Sequence, residues 1–220
     1  MESESSLRER LIDVGVDLVA TTGSESLGLR EIARRAGVSH GAPRRYFPTL
    51  HSLLSAIARR GFEDLGARFA AAVADTASPR AQLQAAARVY VEYALECRGM
   101  FELMFRHDLL DSEKQASDGP RLRESTLPLF EHFVALVAQC RTEQDTAKAG
   151  GPGTTPPPPA VTAAALWANL HGVAQLWTWG SLQLILGTEP PGGAPRGDQL
   201  DQLDRLVAAV LDAHLGPVTS

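Results

Sequence analysis

LREIARRAGVSHGAPRRYF, residues 29–47, decides how the rest of the chain is read. Ile32 and Ala33 fall on the inward side of a short helix predicted over 29–36, and Val38 stands as an apolar plug beyond Gly37. A glycine at that point can take the left-handed conformation that a tight helix corner requires. A second short helix is predicted from Ser39, its N-cap, to about Tyr46. Its first turn carries His40, Gly41 and Ala42, small or polar side chains that let backbone approach a phosphate or a base edge. Pro43 lies at the limit of what a first helical turn tolerates. Arg44 and Arg45 follow, and Tyr46 and Phe47 anchor the end. This is a helix-turn-helix whose second helix is basic and short enough for a DNA major groove.

The charge distribution agrees. The chain of 220 residues carries a net charge of −5, which taken alone argues against a nucleic-acid binder. Residues 28–60, however, hold seven Arg against the single acid Glu31, a local charge of +6, while residues 61–220 sum to −7. A basic head on an acidic body suits local binding of a polyanion, because steering follows the local field. Nineteen of the 21 basic residues are Arg, with only Lys114 and Lys148 as Lys, a bias expected of a high-GC bacterial source.

The remaining sequence reads as helix almost throughout, giving an all-α fold of about nine helices. Leu7, Leu11, Val14, Leu18 and Val19 line one face of a helix predicted over 6–22. Pro48 and Thr49 open a long helix to about 75, and Ser78-Pro79 caps another that ends near Arg98-Gly99. Further helices are predicted over 100–110, 121–141, 161–186 and 198–215. Residues 142–160 contain GGPGTTPPPP and read as an exposed linker. Residues 1–50 are expected to form a DNA-binding head, joined by the helix over 50–75 to a body spanning 51–220.

The order of these motifs carries a resemblance. A first helix, LREIARRAGVS, a short helix ending in YFPT and a long helix opening with HSLLSAI resemble the TetR family of bacterial transcriptional regulators over about residues 7–60. ALWANLHGVAQL, with Trp167, His171 and Gly172, resembles the C-terminal domain of one branch of that family, as does GMFELMF before it. The resemblance implies a three-helix DNA-binding head and a larger body that dimerises and binds an effector. It places Ser39, His40, Gly41, Ala42, Arg44, Arg45, Tyr46 and Thr49 toward DNA, with Arg30 near the backbone. Where the family has Leu-Tyr, this chain has Pro43-Arg44, and the usual Lys after Phe-Pro-Ser is Leu50. Arg44 could reach guanine O6 and N7 bidentately, which suits a GC-rich, pseudo-palindromic operator.

In the body, Met100, Phe101, Met104, Phe105, Phe133 and Trp167 read either as ordinary core or as the wall of an apolar effector cavity. His171, Gln175, Asn169 and His107 are its polar candidates. Leu203, Val207, Val210 and Leu211, with the small residues Ala164 and Ala168, read as a homodimer seam. No catalytic residues, cofactor or metal are expected: there is no HExxH, phosphate-cradling loop or nucleophile elbow, and His107, Asp108 and Asp111 make a poor ligand set. Cys97 and Cys140 cannot build a disulfide framework. No apolar run reaches the roughly 18 residues of a membrane span, and MESESSLRER lacks the order of a secretory signal. The expectation is therefore a cytoplasmic, nucleoid-associated, homodimeric repressor that leaves double-stranded operator DNA when a small molecule binds. The alternatives are an activator or a regulator with an altered head, and remotely a helical-bundle enzyme.

Overall fold

The computed structural model describes residues 4–23, 27–76, 78–106, 108–110, 122–147, 156–187 and 197–217. Every regular element among them is helical: α1 (Glu4–Thr22), α2 (Leu29–Arg35), a 3₁₀ turn (Ala42–Arg45), α3 (Leu50–Val73), α4 (Pro79–Glu96), α5 (Arg98–Met104), α6 (Leu122–Ala147), α7 (Pro159–Thr178), α8 (Ser181–Ile185) and α9 (Gly197–Leu215). Local chemistry sets several of these boundaries. Ser78 Oγ accepts from the Ala81 amide at 3.2 Å, capping α4 with Pro79 in its first turn. Thr49 Oγ1 accepts from the Ser52 amide at 3.0 Å and Ser52 Oγ from the Thr49 amide at 3.2 Å, a reciprocal cap on α3.

Several boundaries differ from the sequence reading, among them the helix predicted over 100–110, which spans Arg98–Met104. The helix predicted over 161–186 is two helices, because Gly180 takes φ +79° and turns the chain between α7 and α8. Gly99 lies inside α5 and does not terminate α4. The linker predicted over 142–160 is shorter, since α6 runs to Ala147 and α7 begins at Pro159. Residues 148–155 of that stretch lie outside the described residues.

The chain forms two compact units, residues 1–65 with 96–127, and residues 66–95 with 128–220. The first takes in more than the expected head of 1–50, adding the early part of α3 and all of α5. Its core holds Leu11, Leu18, Val19, Ile32, Ala33, Phe47, Leu53, Ile57 and the α5 residues Met100, Phe101, Leu103 and Met104. The fit of α5 is close: a Cβ built on Gly99 would come within 2.4 Å of the Val19 carbonyl, and one on Gly61 within 2.7 Å of Met104 Sδ. In the second unit, α9 lies along α7 and buries Leu203, Val207 and Leu211. Burial of three such side chains contributes roughly 5–9 kcal/mol before ordering entropy is counted.

Candidate nucleic-acid interface

The corner after α2 is closed by backbone bonds that the sequence makes possible. The Gly37 amide donates to the Arg34 carbonyl at 3.2 Å and the Val38 amide to the Ala33 carbonyl at 3.0 Å. That pairing needs a left-handed residue, and Gly37 has φ +68°. Ile32 and Ala33 are fully buried beneath it.

The second helix differs from its prediction. Residues 39–46 do not form an α-helix, and Ser39 does not cap one: the helical part is the single 3₁₀ turn Ala42–Arg45, preceded by Gly41 with no side-chain cap. The cause is Pro43. An α-helix begun at Ser39 needs an amide at position 43 to bond the carbonyl of residue 39, and proline has no N–H and a ring that collides with that carbonyl. The chain closes i→i+3 bonds in its place, from the Ala42 amide to Ser39 and from the Tyr46 amide to Pro43, both at 3.0 Å. Pro43 and Phe47 are buried, the Phe47 amide bonds the Pro43 carbonyl at 2.8 Å, and the Arg8 guanidinium stacks 5.4 Å from the Phe47 ring centre. The turn is thus pinned from below by apolar contacts and a cation–π contact.

Above it, Ser39, His40, Gly41, Arg44 and Arg45 are exposed, as is Arg30 on α2. Ala42 and Tyr46 are half-buried. Thr49 is exposed but already engaged as the cap of α3. The seven Arg of the basic segment do not act alike. Glu31 binds Arg34 through both oxygens, at 2.6 and 2.9 Å, and Arg35 at 2.9 Å. The Arg34 hydrogen bond, followed by that of Arg35, holds its carboxyl down at about 2. Arg60 is paired with Glu9 at 2.5 Å. Arg30, Arg44 and Arg45 form no ion pair among the described residues. Glu31 was legible in principle, since its spacing to Arg34 and Arg35 is the i,i+3 and i,i+4 spacing of helix pairs.

The residues expected to line an effector cavity fall into both units. Met100 and Met104 pack over Gly61, and Phe101, Phe105 and Phe62 form a chain of edge-to-face rings at 5.0 and 5.8 Å, all within the first unit. In the second unit Phe133 meets Phe69 edge-to-face at 5.8 Å. Trp167 Nε1 donates to the Tyr90 hydroxyl at 3.1 Å, and that hydroxyl lies 2.8 Å from His171 Nδ1. Burial pushes the Tyr90 hydroxyl up from its ordinary range and His171 down from its own. Tyr90 was not foreseen, for a Tyr on an amphipathic helix carries no pattern apart from core. Gln175 is half-exposed, Asn169 pairs with His214 at 2.7 Å, and His107 and Asp111 lie outside the described residues.

Leu203, Val207 and Leu211, expected at a dimer seam, fill the interior of the single chain, and Val210 is half-buried. Most of the exposed large apolar side chains among the described residues lie on α7 and α8, Trp167 at 38% exposure among them, with Leu127 apart on α6. The sequence of α7 contains no charged residue, and Val161, Ala164, Ala165, Ala168 and Leu176 on it are exposed. Trp179, Leu184 and Ile185 continue that surface at 63, 73 and 78% exposure.

Comparison with known proteins is consistent across both halves. Residues 11–57 match the family model for bacterial regulatory proteins of the tetR family, and residues 83–210 that for a tetracyclin repressor-like C-terminal domain. The chain is 40% identical over 62 residues to the HTH-type transcriptional repressor KstR of Rhodococcus jostii (strain RHA1). That match spans 28% of this chain and 29% of the repressor, so less than a third of the curated relative is covered. A solved structure of a protein with unknown function from Rhodococcus sp. RHA1 is 30% identical, covering 97% of this chain and 96% of its own, with a TM-score of 0.67. AibR, solved in complex with isovaleryl coenzyme A and operator DNA, is 15% identical over 96% of this chain and 100% of its own, with a TM-score of 0.61, a likeness of fold.

Proposed function

The chain belongs to the TetR family of bacterial regulatory proteins, and from that premise we propose a homodimeric repressor that a small-molecule effector releases from its operator. It is a DNA-binding transcriptional regulator, and we read it as a cytoplasmic protein with no catalytic step of its own. The observation that carries the reading is the exposed trio Arg30, Arg44 and Arg45 around a rigid helix-turn-helix corner, free of intramolecular ion pairs among the described residues. Arg44 is the base reader, suited to guanine, and Arg45 and Arg30 are the phosphate contacts. Ser39, His40 and Gly41 complete the contact surface.

A single head of this size makes too few contacts to select a site, so a second copy is functionally required. The seam that supports this is the uncharged face of α7 with α8, where Ala164 and Ala168 permit close approach and Trp179, Leu184 and Ile185 supply area. The effector is a small molecule met in the second unit, with Trp167, His171 and Tyr90 as its polar group, while the Met100–Met104 cluster is core of the head. That a fold relative was solved with an acyl-coenzyme A and operator DNA is compatible with this arrangement. The test is a mobility shift with the DNA upstream of the protein's own reading frame. A specific complex that cell extract dissociates is expected; no complex at low salt overturns the reading.

A further inference from the structure

Within the basic head, two of the seven Arg are spoken for by one carboxylate. Glu31 Oε1 meets Arg34 Nη2 at 2.6 Å and Arg35 Nε at 2.9 Å, while Oε2 meets Arg34 Nε at 2.9 Å. Arg34 is therefore gripped as a bidentate fork, the geometry a phosphate would otherwise use. All three side chains remain solvent-accessible, at 65, 40 and 35% for Arg34, Arg35 and Glu31. They lie on α2, and the first helix of such a motif crosses the DNA backbone. The cluster thus stands where phosphates pass, with its guanidinium groups already occupied by an anion of the protein. Glu31 stays ionised throughout the working range, since the Arg34 and Arg35 hydrogen bonds keep its carboxyl at about 2.

We propose that Glu31 is a specificity-determining residue: an internal phosphate mimic that withholds Arg34 and Arg35 from the DNA backbone and so limits sequence-independent binding. The inference rests on the DNA-binding reading above. Phosphate neutralisation supplies essentially all non-specific affinity and carries no sequence information. On mixed-sequence DNA a head is free to settle wherever its cations meet phosphates, so each available Arg strengthens that binding. In the operator register the head is held by Arg44 and the turn over base edges, and extra cations on α2 add less. Withholding two Arg therefore raises the share of the affinity that depends on sequence.

The experiment uses the full chain and two probes, a mixed-sequence duplex of about 20 base pairs and a duplex of that length selected from a random pool by the wild-type protein, each titrated across a salt series. Glu31→Gln is nearly isosteric and removes the anion. Its log–log salt slope on the mixed duplex is expected to steepen by up to about 2 per head, since each phosphate neutralised contributes about −0.9. Its affinity for the mixed duplex should rise on the order of tenfold at low salt, and its preference for the selected duplex should fall at least threefold. The triple variant Glu31→Gln/Arg34→Gln/Arg35→Gln should return to the wild-type slope, which also reads the proposal if the single variant folds poorly. A triple variant whose slope is shallower than wild type by about 2 per head shows that Arg34 and Arg35 already meet phosphates, and overturns the proposal. So does a folded Glu31→Gln protein whose slope or preference is unchanged. A wild-type chain that binds neither duplex overturns the DNA-binding reading itself, and this inference with it.

Discussion

The Tyr90 hydroxyl stands 2.8 Å from His171 Nδ1, joining α4 to α7 inside the second unit. Trp167 Nε1 donates to the same hydroxyl at 3.1 Å, which leaves that oxygen its own proton and one lone pair for its other contacts, His171 Nδ1 among them. Burial lowers the His171 pKa and so favours the neutral ring, the form in which Nδ1 can accept that proton.

That geometry has a pH consequence. Burial lowers the His171 pKa from its ordinary value of 6.5, so below about 6.5 the unfolded chain takes up a proton that the folded one refuses. The neutral ring is cost-free above that pH, and stability falls as pH drops through and below 6.5, by at most about 1.4 kcal/mol per unit. Urea midpoints at pH 7.5, 6.5 and 5.5 should decline less steeply in His171→Gln than in wild type. Parallel declines would show that His171 is not the titrating group.

Tyr90→Phe should remove the acceptor of Trp167 Nε1, on a side chain 38% exposed, and destabilise the chain by about 0.5–1.5 kcal/mol. The measurement is the thermal midpoint together with the Trp emission maximum. An unchanged midpoint would mean that water replaces the hydroxyl at no cost.

Two glycines where α5 packs, Gly61 on α3 and Gly99 in α5 itself, should respond unequally. At Gly61 an added methyl meets the flexible ends of Met100 and Met104, which can turn aside, so Gly61→Ala should cost about 1–3 kcal/mol. At Gly99 the obstacle is the Val19 carbonyl at 2.4 Å, backbone that cannot rotate away. Gly99→Ala should be the worse of the two by calorimetry, and the reverse order would contradict the packing of α5 on α1.

Ion pairing revises the expected salt dependence of DNA binding. Seven local Arg suggest eight to ten phosphate contacts per dimer, but Glu31 holds Arg34 and Arg35 and Glu9 holds Arg60, while Arg30, Arg44 and Arg45 form no ion pair among the described residues. Six contacts for two heads give a log–log slope of about −5. Arg45→Ala should flatten it and weaken all sequences alike, whereas Arg44→Ala should relax selectivity at one base pair by about 1–3 kcal/mol. Anisotropy titrations over a salt series with matched and mismatched duplexes separate the two.

Substitutions on α7 and α9 should fail in different ways. Ala168→Arg places a charge on the exposed α7 face and should give a folded monomer with unchanged helicity. Val207→Arg forces a charge into a site that is 1% exposed within one chain, and should unfold the second unit at a cost of several kcal/mol. Sedimentation velocity paired with circular dichroism distinguishes dissociation from unfolding. A folded dimer carrying Ala168→Arg would move the seam elsewhere.

Much of this protein was written in local sequence. The helices follow from apolar spacing and from caps such as Ser78-Pro79, and the corner follows from Gly37, because a left-handed residue between two helical periods has few other uses. The basic head was visible as seven Arg in a short span. Other features depended on groups distant in sequence. The stripe of Leu203, Val207 and Leu211 has the same period whether it faces a second copy or α7 of its own chain, and only the packed bundle shows that it faces α7. Tyr90 and His171 lie 81 positions apart, so no window along the chain could pair them. The recognition element lay between these cases: Pro43, whose missing N–H limits the second helix to a 3₁₀ turn, stood in plain view, but the Arg8 contact that holds Phe47 beneath that turn comes from α1 and was not legible locally. Periodicity reports which side of an element is apolar, and only the tertiary structure decides what that side touches.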